Sequence, residues 1–297
     1  MITSVYISNE NIQVLTGDFS KRHLEVKSCI VEAIPEKSIV NGVITNELGV
    51  KDAIQSLWDK YNLPKKNISL VIDSGTILNK KVSVPAVPKE SVYPFIEEEF
   101  KDVEGFSNFL FDYYVLEDGH NGNPCILCNA ASKELIGSYV RIFKSLGIAL
   151  EGINTSIAAQ ISLINLNPAT KEETQIVAVL DSTSLTSVLY IDGIYSFSSR
   201  SRLMSERGTE PSCVEIARSL SSLIQFARAE NSQKPVKSVY VCGMTQNEEE
   251  LCPKLSAMLG CQVSTLPECD DITCNKDKTK AAKLMADYVY PLGNMIR

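Results

Sequence analysis

The stretch IVAVLDSTSLTSVLYIDGIYSFSSRSR, residues 176–202, decides the fold. Residues 176–180 form an apolar run rich in β-branched side chains and too short for a stable helix, so they read as a buried strand. Asp181 ends that run, Ser182, Thr183 and Ser184 make a polar turn, and residues 185–191 form a second strand. Asp192-Gly193 is a tight-turn dipeptide, and residues 194–198 open a third strand. The result is a three-stranded meander with a carboxylate at its first turn. An acid at the tip of a buried strand, beside small hydroxyls and free backbone N–H groups, suits a nucleotide phosphate and its Mg²⁺. The same residues also read as an ordinary polar hairpin turn.

Working outward, residues 212–230 carry Cys213, Ile216, Ala217, Leu220, Leu223, Ile224 and Ala227 at helical spacing on one face. A short strand over 236–242 runs into Gly243, a second helix runs from about Glu248 to Gly260, and residues 262–266 form the next strand. The order is βββαβαβ. Upstream, residues 2–31 alternate as strands with turns at Ser8 to Asn11 and at Gly17-Asp18, a second meander and hence an internal repeat. A helix follows with Asn46 or Gly49 near its start, Ala53, Ile54, Leu57 and Trp58 on its apolar face and Pro64 beyond its end; residues 68–72 are a buried strand.

From 76 to 149 the pattern changes to strand (77–84), helix (89–100), strand (111–116), strand (125–131) and helix (132–146), with Gly147 as the stop. Residues 153–166 read as a helix, 270–279 as a polar, charged, disordered loop, and 281–290 as a closing helix.

At 297 residues, 44% hydrophobic and 22% charged, the chain is long enough for two globular domains. A net charge of −7, with no basic stripe, argues against nucleic acid as a partner. No apolar run approaches the 18 residues of a membrane span. The nine cysteines sit mostly in apolar segments and read as buried thiols of a reducing compartment. Cys125 and Cys128 have metal-site spacing, but in a strand that spacing points them to opposite faces. His23 and His120 are far apart in sequence and make no evident dyad. Glu97, Glu98, Glu99 and Asp102 read as a solvated helix face or as a dock for a basic partner.

The element order, together with VEIARSLSSLIQFARAENSQKPVKSVYVCGMTQNEEELCPKLSAMLGCQVSTLP over 214–267, resembles the type IV pilus assembly protein PilM family of the actin-like ATPase superfamily, a relative of FtsA. The resemblance implies an α/β, actin-like (ribonuclease H-like) two-domain fold with an inserted small subdomain. The expected division is 1–75 with 150–172 and 279–297, an insertion at 76–149, and a second domain at 173–278. It also implies a cofactor site for ATP with Mg²⁺ at Asp181, Ser182, Thr183, Glu215 and Gly243. The family pattern is incomplete here: the first turn reads Ile7-Ser8-Asn9-Glu10-Asn11 and lacks acid and glycine, Ser182 replaces a glycine, and Met244 stands where a second glycine is usual. The expectation is therefore a degenerate pocket without hydrolysis. The implied function is a cytoplasmic scaffold at the inner face of the cytoplasmic membrane, binding a cytoplasmic peptide of a PilN-like membrane protein and other pilus-machine components, with self-association open and membrane contact only through partners. The alternatives are an FtsA-like nucleotide-binding cytoskeletal protein and an active actin-fold ATPase.

Overall fold

A computed structural model of the chain describes residues 1–117, 123–230, 235–274 and 283–296. The N-terminal meander is β1 (Ile2–Ile7), β2 (Asn11–Ser20) and β3 (His23–Ala33), each pair antiparallel. The turn expected at Gly17-Asp18 is not there. β2 runs straight through these residues with a bulge after Thr16, and the chain reverses at Lys21-Arg22, both at positive φ. Gly17 is needed for close approach instead: a Cβ there would stand 2.3 Å from the Glu25 carbonyl oxygen.

A two-strand ribbon, β4 (Ile39–Val40) and β5 (Val43–Ile44), leads to α1 (Glu47–Tyr61), capped by Asn46, whose side chain accepts from the Gly49 N–H. Next, β6 (Ile68–Ile72) lies parallel to β1. The insertion follows: β7 (Leu78–Ser83), α2 (Tyr93–Phe100), β8 (Phe109–Glu117) and β9 (Cys125–Ser132), a three-stranded sheet in the order β7-β9-β8 with α2 packed on it through Ile96 and Phe100. His120 lies outside the described residues.

α3 (Lys133–Ser145) places Leu135, Tyr139, Ile142 and Phe143 in the core that α1 and β6 share, with Ala131 of β9 packed against it. The helix expected from 153 begins later. Residues 150–155 form β10 (Leu150–Thr155), parallel to β6, and only then does α4 (Ser156–Leu166) start, capped by Thr155. A strand and a largely apolar, buried helix abut here, so periodicity alone does not separate them.

The second meander is β11 (Gln175–Asp181), β12 (Ser184–Ile191) and β13 (Ile194–Arg202), as the sequence predicts. α5 (Glu210–Glu230), β14 (Ser238–Cys242), α6 (Gln246–Glu249), α7 (Cys252–Leu259) and β15 (Gln262–Ser264) complete a sheet ordered β13-β12-β11-β14-β15. The single helix expected over 248–260 is two, because Pro253 sits at the first turn of α7 and cannot continue α6.

Residues 272–274 are not loop. They form β16 (Ile272–Cys274), which adds in parallel to β3, so the other sheet reads β10-β6-β1-β2-β3-β16. Positions 275–279 of the expected loop, with positions 281 and 282 of the closing helix, lie outside the described residues. α8 (Leu284–Asp287) and α9 (Val289–Gly293) then return to the first sheet.

Two bodies thus form, one on each large sheet, with α4 between them. Ile157, Ile161, Leu163 and Ile164 of α4 pack with Val71 of β6, Val177 of β11 and Leu292 of α9 in one core. A helix with apolar side chains on most of its faces is stable only when most of it is buried, and nine of the eleven residues of α4 are; each of these apolar side chains contributes about 1.5–3 kcal/mol by leaving water. Among the described residues no helix is long and apolar enough to cross a membrane.

Candidate functional site

The carboxyl ends of the parallel strands in both bodies converge on one cleft, the place where open α/β sheets carry ligands. From the first body come Ile7 and the turn after β1, Asp73 after β6, and Thr155-Ser156 between β10 and α4. From the second come Asp181 to Ser184 between β11 and β12, Gly243 after β14, and Arg200 on β13. A cavity of about 860 Å³ is lined by Asn9 and Glu10 on one side and Ser182, Thr183, Ser184 and Arg200 on the other. A second of about 240 Å³ lies beside it between Asp73, Ser156, Thr186 and Arg200.

Asp181 does not face an open cradle. One of its oxygens accepts a 2.8 Å hydrogen bond from the Tyr6 hydroxyl. Burial pushes its carboxyl up to about 6, with the Tyr6 bond and the Arg200 charge pulling the other way and the Asp73 charge adding to the rise. Ser182 takes the left-handed conformation, φ 51°, that the turn requires and a glycine would adopt without strain. Its hydroxyl donates to Glu10 Oε1 at 2.8 Å. Glu10, the carboxylate within the first turn, therefore bonds to the second turn.

The first turn is closed on itself. Ser8 Oγ accepts from the N–H groups of Glu10, at 3.1 Å, and Asn11, at 3.0 Å, the same backbone donors a phosphate would need. Asp73, which the sequence reading passed over, is ion-paired to Arg200 and accepts from Ser156 Oγ at 2.7 Å. A signal for it existed: Ile72-Asp73-Ser74 repeats Leu180-Asp181-Ser182, an apolar strand ending in an acid and a serine.

Gly243 and Glu215 are tied in by a segment the sequence did not single out. Arg207, before α5, makes two 2.7 Å bonds to the Glu248 carboxylate, donates to the Gly243 carbonyl at 2.7 Å and reaches the Ser182 carbonyl at 3.5 Å. Glu248 is buried and also accepts from Thr245 N–H and Oγ1. Burial alone would raise its carboxyl; the Arg207 and Thr245 bonds outweigh that and hold it below the usual range. Glu215 accepts from the Met204 N–H at 2.7 Å and from Ser205 Oγ at 2.6 Å, pinning the same segment. Gly243 has φ 74°, and a Cβ there would meet the Leu180 carbonyl oxygen at 2.3 Å; its N–H donates to the Ala286 carbonyl.

The structure thus brings Asp181, Ser182 and Gly243 to one surface, bridged by Arg207, with Thr183 bonded through its carbonyl to Leu203 N–H and Glu215 holding the bridge from behind. The first-turn amides, the Asp73 carboxylate and the Gly243 N–H are each engaged within the chain.

Two strand-ended bodies closing on a cleft, each opened by a meander, with a third small sheet inserted in the first, define an actin-like ATPase fold. The model of the family described as type IV pilus assembly protein PilM matches residues 4–193, and the chain belongs to that family. Among solved structures, the chain is similar to one titled PilM-PilN type IV pilus biogenesis complex, with a TM-score of 0.83 at 14% identity over 100% of this chain and 98% of that one. It is also similar to the ethanolamine utilization protein EutJ from Carboxydothermus hydrogenoformans (TM-score 0.54, 10% identity, 99% and 89% covered). A Bacteroides thetaiotaomicron protein with actin-like ATPase fold gives a TM-score of 0.51 at 11% identity, with 89% and 90% covered. No curated protein matches by sequence.

Proposed function

We propose that the chain is an actin-like adaptor of a type IV pilus or related secretion machine, which binds a cytoplasmic peptide of a PilN-like membrane protein and no longer uses its cleft as an ATPase site. Family membership supports the pilus setting. The observation that carries the peptide reading is a groove of about 340 Å³ where the insertion meets the first body, lined by Ile72, Ile77, Leu110, Phe111 and Ile153 with Asn129 and Asn154 among them. β8 is an edge strand of its sheet, and Leu110 on it is 45% exposed. An extended peptide with alternating apolar side chains suits such a groove, because a strand edge supplies backbone bonds and the floor supplies side-chain pockets. In this reading the protein sits at the inner face of the cytoplasmic membrane through its partner.

Calorimetric titration of the full chain with the cytoplasmic tail of a bitopic pilus protein encoded beside it, without nucleotide, tests the reading. Binding that is lost in Leu110→Glu supports it. Absence of binding to every such tail, or binding unaffected by Leu110→Glu, overturns the groove assignment.

A further inference from the structure

The cleft is crossed by side-chain contacts that join residues of different bodies rather than neighbours in one sheet. Arg200 on β13 pairs with Asp73 at the end of β6, and the pair is largely out of water, with the two side chains 17% and 6% exposed. Each half is held by its own body: Arg200 donates to Thr186 Oγ1 at 3.3 Å and Ser184 Oγ at 3.1 Å, and Asp73 accepts from Ser156. Tyr6 on β1 bonds Asp181 at the end of β11. Ser182 bonds Glu10. Further along the same seam, Lys81 on β7 of the insertion donates to the Tyr195 carbonyl on β13 at 2.9 Å.

We infer that these contacts form a latch that holds the two bodies closed on each other with no ligand in the cleft. A diffusible anion or cation bridging such a cleft closes it only while bound. Here the bridging charges are covalent parts of the chain: the Arg200 cation comes from one side and the Asp73 anion from the other, so the closed arrangement is the resting one. The Tyr6 ring reinforces it from beneath, packed edge-on against Tyr290 with centroids 5.0 Å apart. The latch extends the reading of the cleft given above, but its test uses neither nucleotide nor partner peptide, so the two stand or fall separately.

Hydrogen exchange of the full chain, read by peptide mass, compares wild type with Tyr6→Phe and with the double variant Asp73→Asn/Arg200→Gln, which neutralises the pair without leaving one charge buried alone. If the latch holds the bodies together, exchange rises about tenfold or more, the scale of a lost net hydrogen bond or two. The rise covers both turns, residues 8–11 and 181–184. It also covers residues 80–83 and 194–197, around the Lys81 contact and outside the cavity that Asp73 and Arg200 line, while β14 keeps its protection. Acceleration confined to peptides containing the substituted residues, or none, overturns the latch. Should the double variant lose cooperative melting, Tyr6→Phe decides by the same comparison.

Discussion

The Tyr6 hydroxyl donates to Asp181 across 175 residues of sequence, joining the first strand of one body to the acid that ends the central strand of the other. That carboxyl is raised by burial to about 6 from an ordinary 3.8. A raised acid contributes stability that is fully present below its unfolded value and is lost as pH rises through the folded one. Unfolding free energy therefore falls between about pH 4 and pH 6 on account of Asp181, by about 3 kcal/mol at 1.36 kcal/mol per unit. Asp181→Asn keeps an acceptor for Tyr6 and removes the charge. Its urea midpoint is expected to exceed that of wild type at pH 7.5 and to match it near pH 4; an equal deficit at both pH values would show that Asp181 is ionised at no cost.

Gly243→Ala is expected to destabilise the protein by about 3 kcal/mol or more, since it combines backbone strain at positive φ with a Cβ overlapping the Leu180 carbonyl. Ser182 has positive φ too, but it already tolerates a side chain, so Ser182→Gly should change stability by less than about 1 kcal/mol in either direction. Thermal midpoints of the two variants, measured side by side, check the contrast.

Arg207→Met leaves the Glu248 carboxylate buried without its cation, at a cost of about 3–5 kcal/mol. Adding Glu248→Gln should recover most of that loss, and the coupling in a double-mutant cycle should exceed about 1 kcal/mol. Because the Glu248 carboxyl is held low, its contribution is present above the unfolded carboxylate range and disappears as pH falls through the folded value. Additive single effects would mean that the two side chains touch without mattering to each other.

Millimolar Mg-ATP is expected to leave the thermal midpoint unchanged. A ligand at about 100 times its dissociation constant adds about 2.7 kcal/mol, which in a chain of this size moves the midpoint by several degrees. A shift of that size would show that nucleotide displaces the Ser8 and Arg207 contacts, and would return the cleft to ligand binding.

Much of the fold was legible because its signals are local. The run at 176–180, the Asp192-Gly193 turn, the helical stripe from Cys213 to Ala227 and the Asn46 cap each depend on residues within a few positions of one another, and each element stands where the sequence puts it. The failures also have local causes. Gly17-Asp18 reads as a turn, but whether a glycine marks a reversal or a close approach depends on Glu25 across the ladder. Residues 150–166 mix apolar and small polar side chains, and no clear change of period marks where β10 ends and α4 begins. Ile272–Cys274 is polar enough to read as loop and becomes a strand only because β3 offers an edge.

The cleft was half legible. Asp181, Ser182 and Gly243 announce themselves by motif; Arg200, Arg207 and Tyr6 matter through pairings 25 to 175 residues away, which no window of sequence contains.

Asn294, just beyond α9, donates to Ser4 Oγ and Ser69 Oγ at 2.8 and 2.9 Å and accepts from Asn154, tying together β1, β6 and β10, the three neighbouring strands on one side of the first sheet. The last of these four residues to be synthesised is thus the keystone of what is made first. Until position 294 has cleared the ribosome, the N-terminal sheet carries polar groups that await a partner nearly three hundred residues downstream. Pairing over such separations is slow and leaves edges exposed meanwhile, so nascent chains arrested shortly before residue 284 should be held by chaperones far longer than the finished protein.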